Sequence, residues 1–393
     1  MALALGGLTG CGGGDGGSEG SSSGEILLGT IQPLTSAVYS NTRQRDGVEA
    51  AVEAINAKGG VNGQKLKLKT CDSAFDANKE LSCTRELLDD GVAAIVAPLL
   101  MVDQTGRAHA LAEKAGVAMI GGRGIVAADL QSSNSFPSTS GQVGWSYGTI
   151  AALVNAGSSK ISILVDDNPS SQYAASVLQE AVAAASLKTV NVVIVDPAAD
   201  PTYAASAAKA TAGADGLAMA ITTNNYPKAL QAVRRTGYTG SIAHLSSTLS
   251  PENLKASGKD VEGVLLSSHF GAVDDTEDPE TARFVDELKK SKPEAVPDET
   301  IVAGWAAVQL FAKAMADVED IDAEKVLDTF TNLSTPIYMG GVMPPYVVQG
   351  NTSPLPDFPQ MFNHDIKALT VKDGTITSTG DFFDPFETLS GQK

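Results

Sequence analysis

From Glu25 onward, short apolar runs alternate with amphipathic helical stretches, and this rhythm limits the available folds more than any other feature of the chain. Residues 26–31 read as a strand, and Val48, Ala51, Val52 and Ile55 then recur at helical spacing. Gly59-Gly60-Val61-Asn62-Gly63 marks a turn before a second strand at 65–69. A helix over 81–88 leads to a strand at 93–96, and a helix near 108–115 leads to one at 117–120. The pattern then restarts, with strands at 161–165, 190–195, 217–221, 242–245 and 264–266. Helices separate them around 173–185, 203–210, 228–235 and 251–256. Helices at 279–290, 301–318 and 323–331 follow, then Gly/Pro-rich irregular chain. A hairpin pairs 368–372 with 375–378 around Asp373-Gly374. Repeated strand–helix units predict parallel sheets covered by helices on both faces. At 393 residues the chain suits two domains, so the fold class is α/β, with two doubly wound parallel-sheet lobes. Such sheets bind ligands beyond the carboxyl ends of their strands, and two of them facing each other make a cleft.

Composition narrows the function. The chain is 43% hydrophobic but only 5% aromatic, which predicts aliphatic cores, and its net charge of −18 excludes a phosphate-binding nucleic-acid surface. The same charge disfavours docking on an anionic membrane face. His109, His244, His269 and His364 are scattered, with no metal-ligand spacing, and no cofactor motif appears. The Gly121-Gly122-Arg123-Gly124 run lacks the rest of a nucleotide fingerprint and reads as a tight turn. Neither a Gly-x-Ser-x-Gly elbow nor a His-Glu-x-x-His run is present, so a secreted enzyme is a weak alternative. Asp166-Asp167 reads equally as a paired carboxylate or as a polar turn before a helix. Trp145 and Trp305 read as core packing.

The cysteines suggest a compartment. Leu8-Thr9-Gly10-Cys11 is followed by a Gly/Ser/acid-rich run to Gly24 and then by the globular pattern. Small residues, a cysteine, a flexible tether and a folded domain are the layout of a bacterial lipoprotein, with the Cys11 thiol acylated and the domain held outside the cytoplasm. Residues 1–10 carry no Lys or Arg and are short for a complete signal, so the expected start codon lies upstream. The alternative is a Gly-rich terminus with a chance cysteine. Cys71 and Cys83 stand twelve positions apart, one ending a strand and the other in a helix. A disulfide between them suits an oxidising space and contributes about 2–3 kcal/mol; two free buried thiols are the alternative.

Ile31-Gln32-Pro33-Leu34-Thr35, followed by Ala54-Ile55-Asn56-Ala57-Lys58-Gly59-Gly60-Val61-Asn62-Gly63, closely resembles the type I periplasmic binding proteins of the branched-chain amino-acid group. These are solute-binding components of ABC importers. Asp72, Asp76, Leu88-Asp89-Asp90-Gly91-Val92, Ala94-Ile95-Val96 and Asn155-Ala156-Gly157 continue the likeness in order, over about residues 25–318. The resemblance implies two lobes joined by three chain crossings, near 140–145, 268–271 and 342–354. It divides the chain into a signal remnant and tether at 1–24, lobe 1 at 25–142 plus 272–345, and lobe 2 at 143–271 plus 346–393. The lobes would close on a ligand, and ligand contacts made only in the closed form would shift that equilibrium.

The resemblance also implies where the ligand sits. In amino-acid-binding relatives, near-lobe loops present hydroxyls and backbone N–H groups to the ligand carboxylate. The matching stretches here are Leu99-Leu100-Met101-Val102-Asp103, with Leu100, Met101 and Val102 as candidates, and Gly121-Gly122-Arg123-Gly124, with Gly122, Arg123 and Gly124. Met101 replaces an expected serine, and Arg123 interrupts the second loop. In the far lobe an aromatic residue is usual near Ser170, where this chain has Asn168-Pro169-Ser170-Ser171. An acidic residue expected around Ser246-Ser247 to hold an ammonium is absent there. A buried ammonium without a carboxylate partner costs several kcal/mol, which disfavours a standard α-amino acid. Arg123 instead offers a bidentate partner for a ligand carboxylate. Asn224 and Asn225, beside Thr223, offer amide hydrogen bonds, and Tyr39 offers aromatic cover. His269, at the second crossing, is a pocket or hinge candidate. The expectation is a lipid-anchored extracytoplasmic protein, monomeric and without chemistry of its own. It would take a carboxylate, amide or amino-acid-like solute to ABC permease subunits. The rival is a sensor domain of the same fold working with a separate signalling partner.

Overall fold

The computed structural model describes residues 24–37 and 39–391; Cys11 lies outside the described residues. Strands β1 (Ile26–Gln32), β2 (Leu66–Asp72), β3 (Ala94–Val96), β4 (Ala118–Ile120) and β5 (Ser135–Phe136) form one sheet in the order β2-β1-β3-β4-β5. All its pairings are parallel. The second sheet runs β12-β11-β10-β9-β8-β6-β7. Its members are β6 (Ile161–Asp166), β7 (Thr189–Val195), β8 (Gly216–Ala220), β9 (Ser241–Leu245), β10 (Leu265–Ser268), β11 (Ile366–Lys372) and β12 (Thr375–Phe383). Strands β6 to β10 pair in parallel, whereas the β11–β12 hairpin adds antiparallel strands at one edge.

Helices α1 (Arg43–Ala57), α2 (Ala77–Asp89), α3 (Arg107–Ala115) and α4 (Ala127–Gln131) punctuate the first sheet. Helices α5 (Gly141–Asn155), α6 (Pro169–Ala184), α7 (Ala204–Thr211), α8 (Tyr226–Arg235) and α9 (Pro251–Ser257) belong with the second. Helices α10 (Pro279–Ser291), α11 (Glu299–Ala314) and α12 (Ala323–Thr331) return to the first lobe, and α13 (Pro385–Ser390) ends the second. One apolar core joins β1, β3 and β4 to α1, α10, α11 and α12. The α1–α11 contact is close because both helices present glycine: a Cβ on Gly47 would lie 1.9 Å from the Ile301 carbonyl oxygen, and one on Gly304 would lie 2.1 Å from that of Gln44. The second lobe has separate apolar layers on the two faces of its sheet. No helix among the described residues is long and apolar enough to cross a membrane.

The chain passes between the lobes three times: between β5 and α5, between β10 and α10, and between Val348, in the first core, and Leu355, which packs on the second. The crossings are tied to one another. Gly271 N donates to the Val342 carbonyl at 2.9 Å, Asn363 Nδ2 donates to that of Ser138 at 2.9 Å, and Ser140 Oγ shares a 2.9 Å hydrogen bond with His269 Nε2. Burial holds the His269 imidazole well below its ordinary pKa, so this hinge is made by a neutral ring. Cys71 and Cys83 form a disulfide, with Cα atoms 5.6 Å apart, that ties the end of β2 to α2.

Candidate functional site

Each sheet reverses its winding once: the first between β1 and β3, the second between β6 and β8. Loops beyond the carboxyl ends at those points diverge and leave room for a ligand. Here the two sets of loops face each other across a cleft of 960 Å³. The near wall carries Tyr39 from the loop after β1, Leu99 and Met101 after β3, and Arg123 after β4. The far wall carries Asn168 and Ser170 after β6, Thr222, Thr223 and Asn224 after β8, and Ser247 after β9. Trp145 of α5, with Asp298 and Thr300 at the start of α11, closes the hinge side.

Local chemistry sets these loops. Asp72, at the end of β2, accepts Leu34 N at 2.7 Å and Ala74 N at 2.8 Å and also bonds the Thr35 hydroxyl, so the Pro33-Leu34-Thr35 run is held by the neighbouring strand. Glu80 of α2 accepts the N–H groups of Met101, Val102 and Asp103 at 2.7, 3.2 and 2.8 Å and fixes the loop after β3. On the far side, Asp166 accepts Tyr203 Oη at 2.6 Å, Thr222 N at 3.0 Å and Thr222 Oγ1 at 2.7 Å. The paired-carboxylate possibility at Asp166-Asp167 thus resolves into a loop anchor. Burial, reinforced by this bond, raises the Tyr203 hydroxyl far above its ordinary range.

Arg123 and Arg43 are the two arginines lining the cleft, and Arg123 is the buried one. It is only 4% exposed, and its guanidinium carbon lies 5.2 Å from the centre of the Trp145 ring. Nη2 stands 3.6 Å from Oε1 of Glu299, an ion-pair separation too long for a hydrogen bond, and among the described residues neither Nε nor Nη2 of Arg123 nor Oε1 of Glu299 has a hydrogen-bond partner. The indole N–H of Trp145 also lacks one. Glu299 is held in turn by the hydroxyls of Ser246 and Ser268. Burial raises its carboxyl above the usual range, and Arg123 opposes that rise. Asp298 is likewise pushed up by burial and restrained by Arg43, whose Nε lies 2.5 Å from Oδ2. Arg43 also reaches across the cleft to Glu252 of α9 at 3.5 Å.

The structure separates the sequence candidates. Tyr39, Met101, Arg123, Asn168, Ser170, Thr223, Asn224 and Ser247 share the cleft wall. Asn168 is already occupied as the N-cap of α6, where it accepts Ser171 N at 2.9 Å. Seven others stand outside that wall. Leu100 packs in the core beside Ile31 and Leu87, and Val102 is held to Glu80 through its backbone. Gly122 faces the Asp129 carboxylate, and Gly124 lies against Gly141. Asn225 donates to Asp166 at 3.2 Å. Ser246 bonds the Ser267 carbonyl and Glu299, and His269 is a hinge residue.

Two sequence expectations need correction. Trp145, read as core packing, also lines the cleft. The acid missing from Ser246-Ser247 arrives from elsewhere: Glu299, at the first turn of α11, bonds the Ser246 hydroxyl. No local signal marked it, because 53 residues separate the two in sequence. Placing the helix start at 301 left Asp298 and Glu299 in a loop.

Residues 25–355 match the family model for periplasmic binding proteins, and the chain belongs to that family. The Leu/Ile/Val-binding protein BraC3 of Rhizobium johnstonii is 34% identical over 76 residues, 19% of this chain and 21% of that protein. The chain thus matches about a fifth of the length of such curated relatives. An extracellular ligand-binding receptor from Verminephrobacter eiseniae superposes with a TM-score of 0.76 at 20% identity, covering 90% of this chain and 99% of that one. An ABC-transporter solute-binding protein from R. palustris, solved with benzoate, gives 0.71 at 16% identity, covering 92% and 98%. The type I two-lobed fold read from the sequence is therefore the fold of the molecule.

Proposed function

We propose that this chain captures a small carboxylate- or amide-bearing solute between its lobes and hands it to an ABC importer, without transforming it. The observation that carries this reading is Arg123, a buried guanidinium in the cleft wall with two nitrogens lacking hydrogen-bond acceptors. A ligand carboxylate satisfies such donors, and charge-assisted bonds of this kind are about twice as strong as neutral ones. Asp298, on the cleft wall, is bonded by Arg43, and Glu299, behind that wall, stands 3.6 Å from Arg123. Ion pairing weakens the hold of both carboxylates on a ligand ammonium, although Oε1 of Glu299, like the Arg123 nitrogens, has no hydrogen-bond partner among the described residues. Apolar cover from Leu99, Met101, Tyr39 and Trp145 suits an aliphatic or aromatic body. The benzoate carried by the R. palustris protein belongs to this ligand class. We divide the lobes at 25–142 plus 272–345 and 143–271 plus 346–393, with the last boundary moved on to 348–355 because Tyr346 and Val348 pack in the first core, and place the protein as a monomer on the outer face of a bacterial membrane, tethered through acylated Cys11.

Isothermal titration of ligand-stripped protein with benzoate, short aliphatic carboxylates, the matching amides and branched-chain amino acids tests the reading. Binding of non-amino carboxylates or amides supports it. Binding confined to α-amino acids assigns the Arg123–Glu299 pair to a zwitterion instead and overturns the ligand class.

A further inference from the structure

His364 and Asp365, just before β11, meet Asp384, the residue before α13, with one donor atom from each within 4.8 Å of the others. The juxtaposition follows from strand register. Ile366 pairs with Phe383 at the end of the antiparallel β11–β12 ladder, so one residue further out Asp365 faces Asp384. Like charges placed opposite each other destabilise a ladder unless something neutralises them. Asp384 is divided between two tasks. Its Oδ1 accepts Phe386 N at 2.7 Å and Glu387 N at 3.1 Å, and its Oδ2 lies 3.3 Å from His364 Nε2. Asp365 is half-buried, and its carboxylate feels the charge of His364 but forms no hydrogen bond or close ion pair among the described residues. His364 Nδ1 is buried on the side of the Met361 backbone, which leaves Nε2 as the ring nitrogen facing the carboxylates. Phe386 backs the cluster, 6.1 Å from the His364 ring and 4.4 Å from that of Tyr147.

We propose that His364, Asp365 and Asp384 form a zinc site that clasps the start of β11 to the C-terminal helix. One imidazole nitrogen with two carboxylate oxygens is a donor set for zinc rather than for calcium or magnesium, which take all-oxygen shells. Donors about 2.0–2.2 Å from a tetrahedral ion stand roughly 3.5 Å apart. The His364–Asp384 pair already meets that spacing at 3.3 Å, and the Asp365 donor, within 4.8 Å of both, completes it by a small side-chain movement. The Asp384 cap bonds act as the outer support that holds a ligating carboxylate in place. Spacing along the sequence hides this cluster, because its members come from opposite ends of a hairpin.

The test is zinc titration by calorimetry into the full chain, free of any histidine tag and carrying Cys11→Ser so that no terminal thiol competes. The parent, His364→Ala and Asp365→Asn are compared, with far-UV circular dichroism confirming that each is folded. Asp365→Asn breaks no hydrogen bond, so it should fold even where His364→Ala does not. The expected result is one zinc per chain in the parent, weakened more than about tenfold in each variant, with calcium binding far more weakly. No zinc binding by the parent, or equal binding by parent and folded variants, overturns the site. Calcium binding tighter than zinc overturns the cation assigned to it.

Discussion

Replacing Arg123 by Met keeps much of the side-chain volume but removes the cation facing Glu299. The two charges are 3.6 Å apart, and at an effective dielectric of about 20 that separation corresponds to about 4–5 kcal/mol of attraction. Breaking a buried pair typically costs about 3–5 kcal/mol, because the remaining charge is stranded. Glu299 retains the hydroxyls of Ser246 and Ser268, so the expected loss near pH 7.5 is about 3 kcal/mol. Adding Glu299→Gln keeps the shape and removes the stranded charge, and should restore most of it. The pH dependence has a definite sign. Burial already holds the Glu299 carboxyl above its ordinary 4.5, and loss of Arg123 raises it further. A carboxyl raised in the folded state favours folding at low pH, and that contribution disappears as pH rises through the folded value. The deficit of the single variant should therefore be smaller at pH 5 than at pH 7.5. Urea unfolding of parent, single and double variants at both pH values measures this. Equal destabilisation of the single and double variants, or a deficit independent of pH, would refute the pairing.

Three other outcomes follow from the packing. Gly47→Ala would place a Cβ 1.9 Å from the Ile301 carbonyl oxygen, so α1 and α11 must separate; we expect at least about 3 kcal/mol lost in urea unfolding, overpacking at its upper end. Replacing both Cys71 and Cys83 by Ser opens a disulfide with a sequence separation of 12, and the chain-entropy estimate gives about 3 kcal/mol; parent protein unfolded in reductant should show the same loss. His244 is buried, accepts Leu245 N at 2.6 Å and is depressed to about 4. A depressed histidine contributes stability above its unfolded value of 6.5 that is lost as pH falls toward the folded one. Nitrogen-15 spectra should therefore show a neutral ring at pH 5.

Much of the fold was legible because its strands are near-continuous apolar runs followed by helices with one apolar face. β6 and β8 are buried along their whole length. The period fails where an element is buried all round: α5, with twelve of fifteen residues buried, has no polar face to reveal it as an amphipathic helix. β5, at two residues, is too short for any pattern. The site divides in the same way. Residues at strand ends, such as Arg123, Asn224 and Ser247, could be placed because the winding of the sheets dictates where loops converge. Glu299 and Trp145 could not, since they enter from helices whose positions are set by packing between distant segments. Asn225 shows the opposite error: an amide at the right strand end whose hydrogen bond is already committed to Asp166.

The most direct measurement is the affinity of the parent and of the Arg123→Met/Glu299→Gln double variant for the strongest carboxylate ligand found. The double variant separates binding from stability, because it restores the fold without restoring the cation. Thermal unfolding with ligand at ~100 times the parent's dissociation constant should show about 2.7 kcal/mol of stabilisation in the parent and close to none in the double variant. Equal stabilisation of both proteins would contradict Arg123 as the residue that holds the ligand.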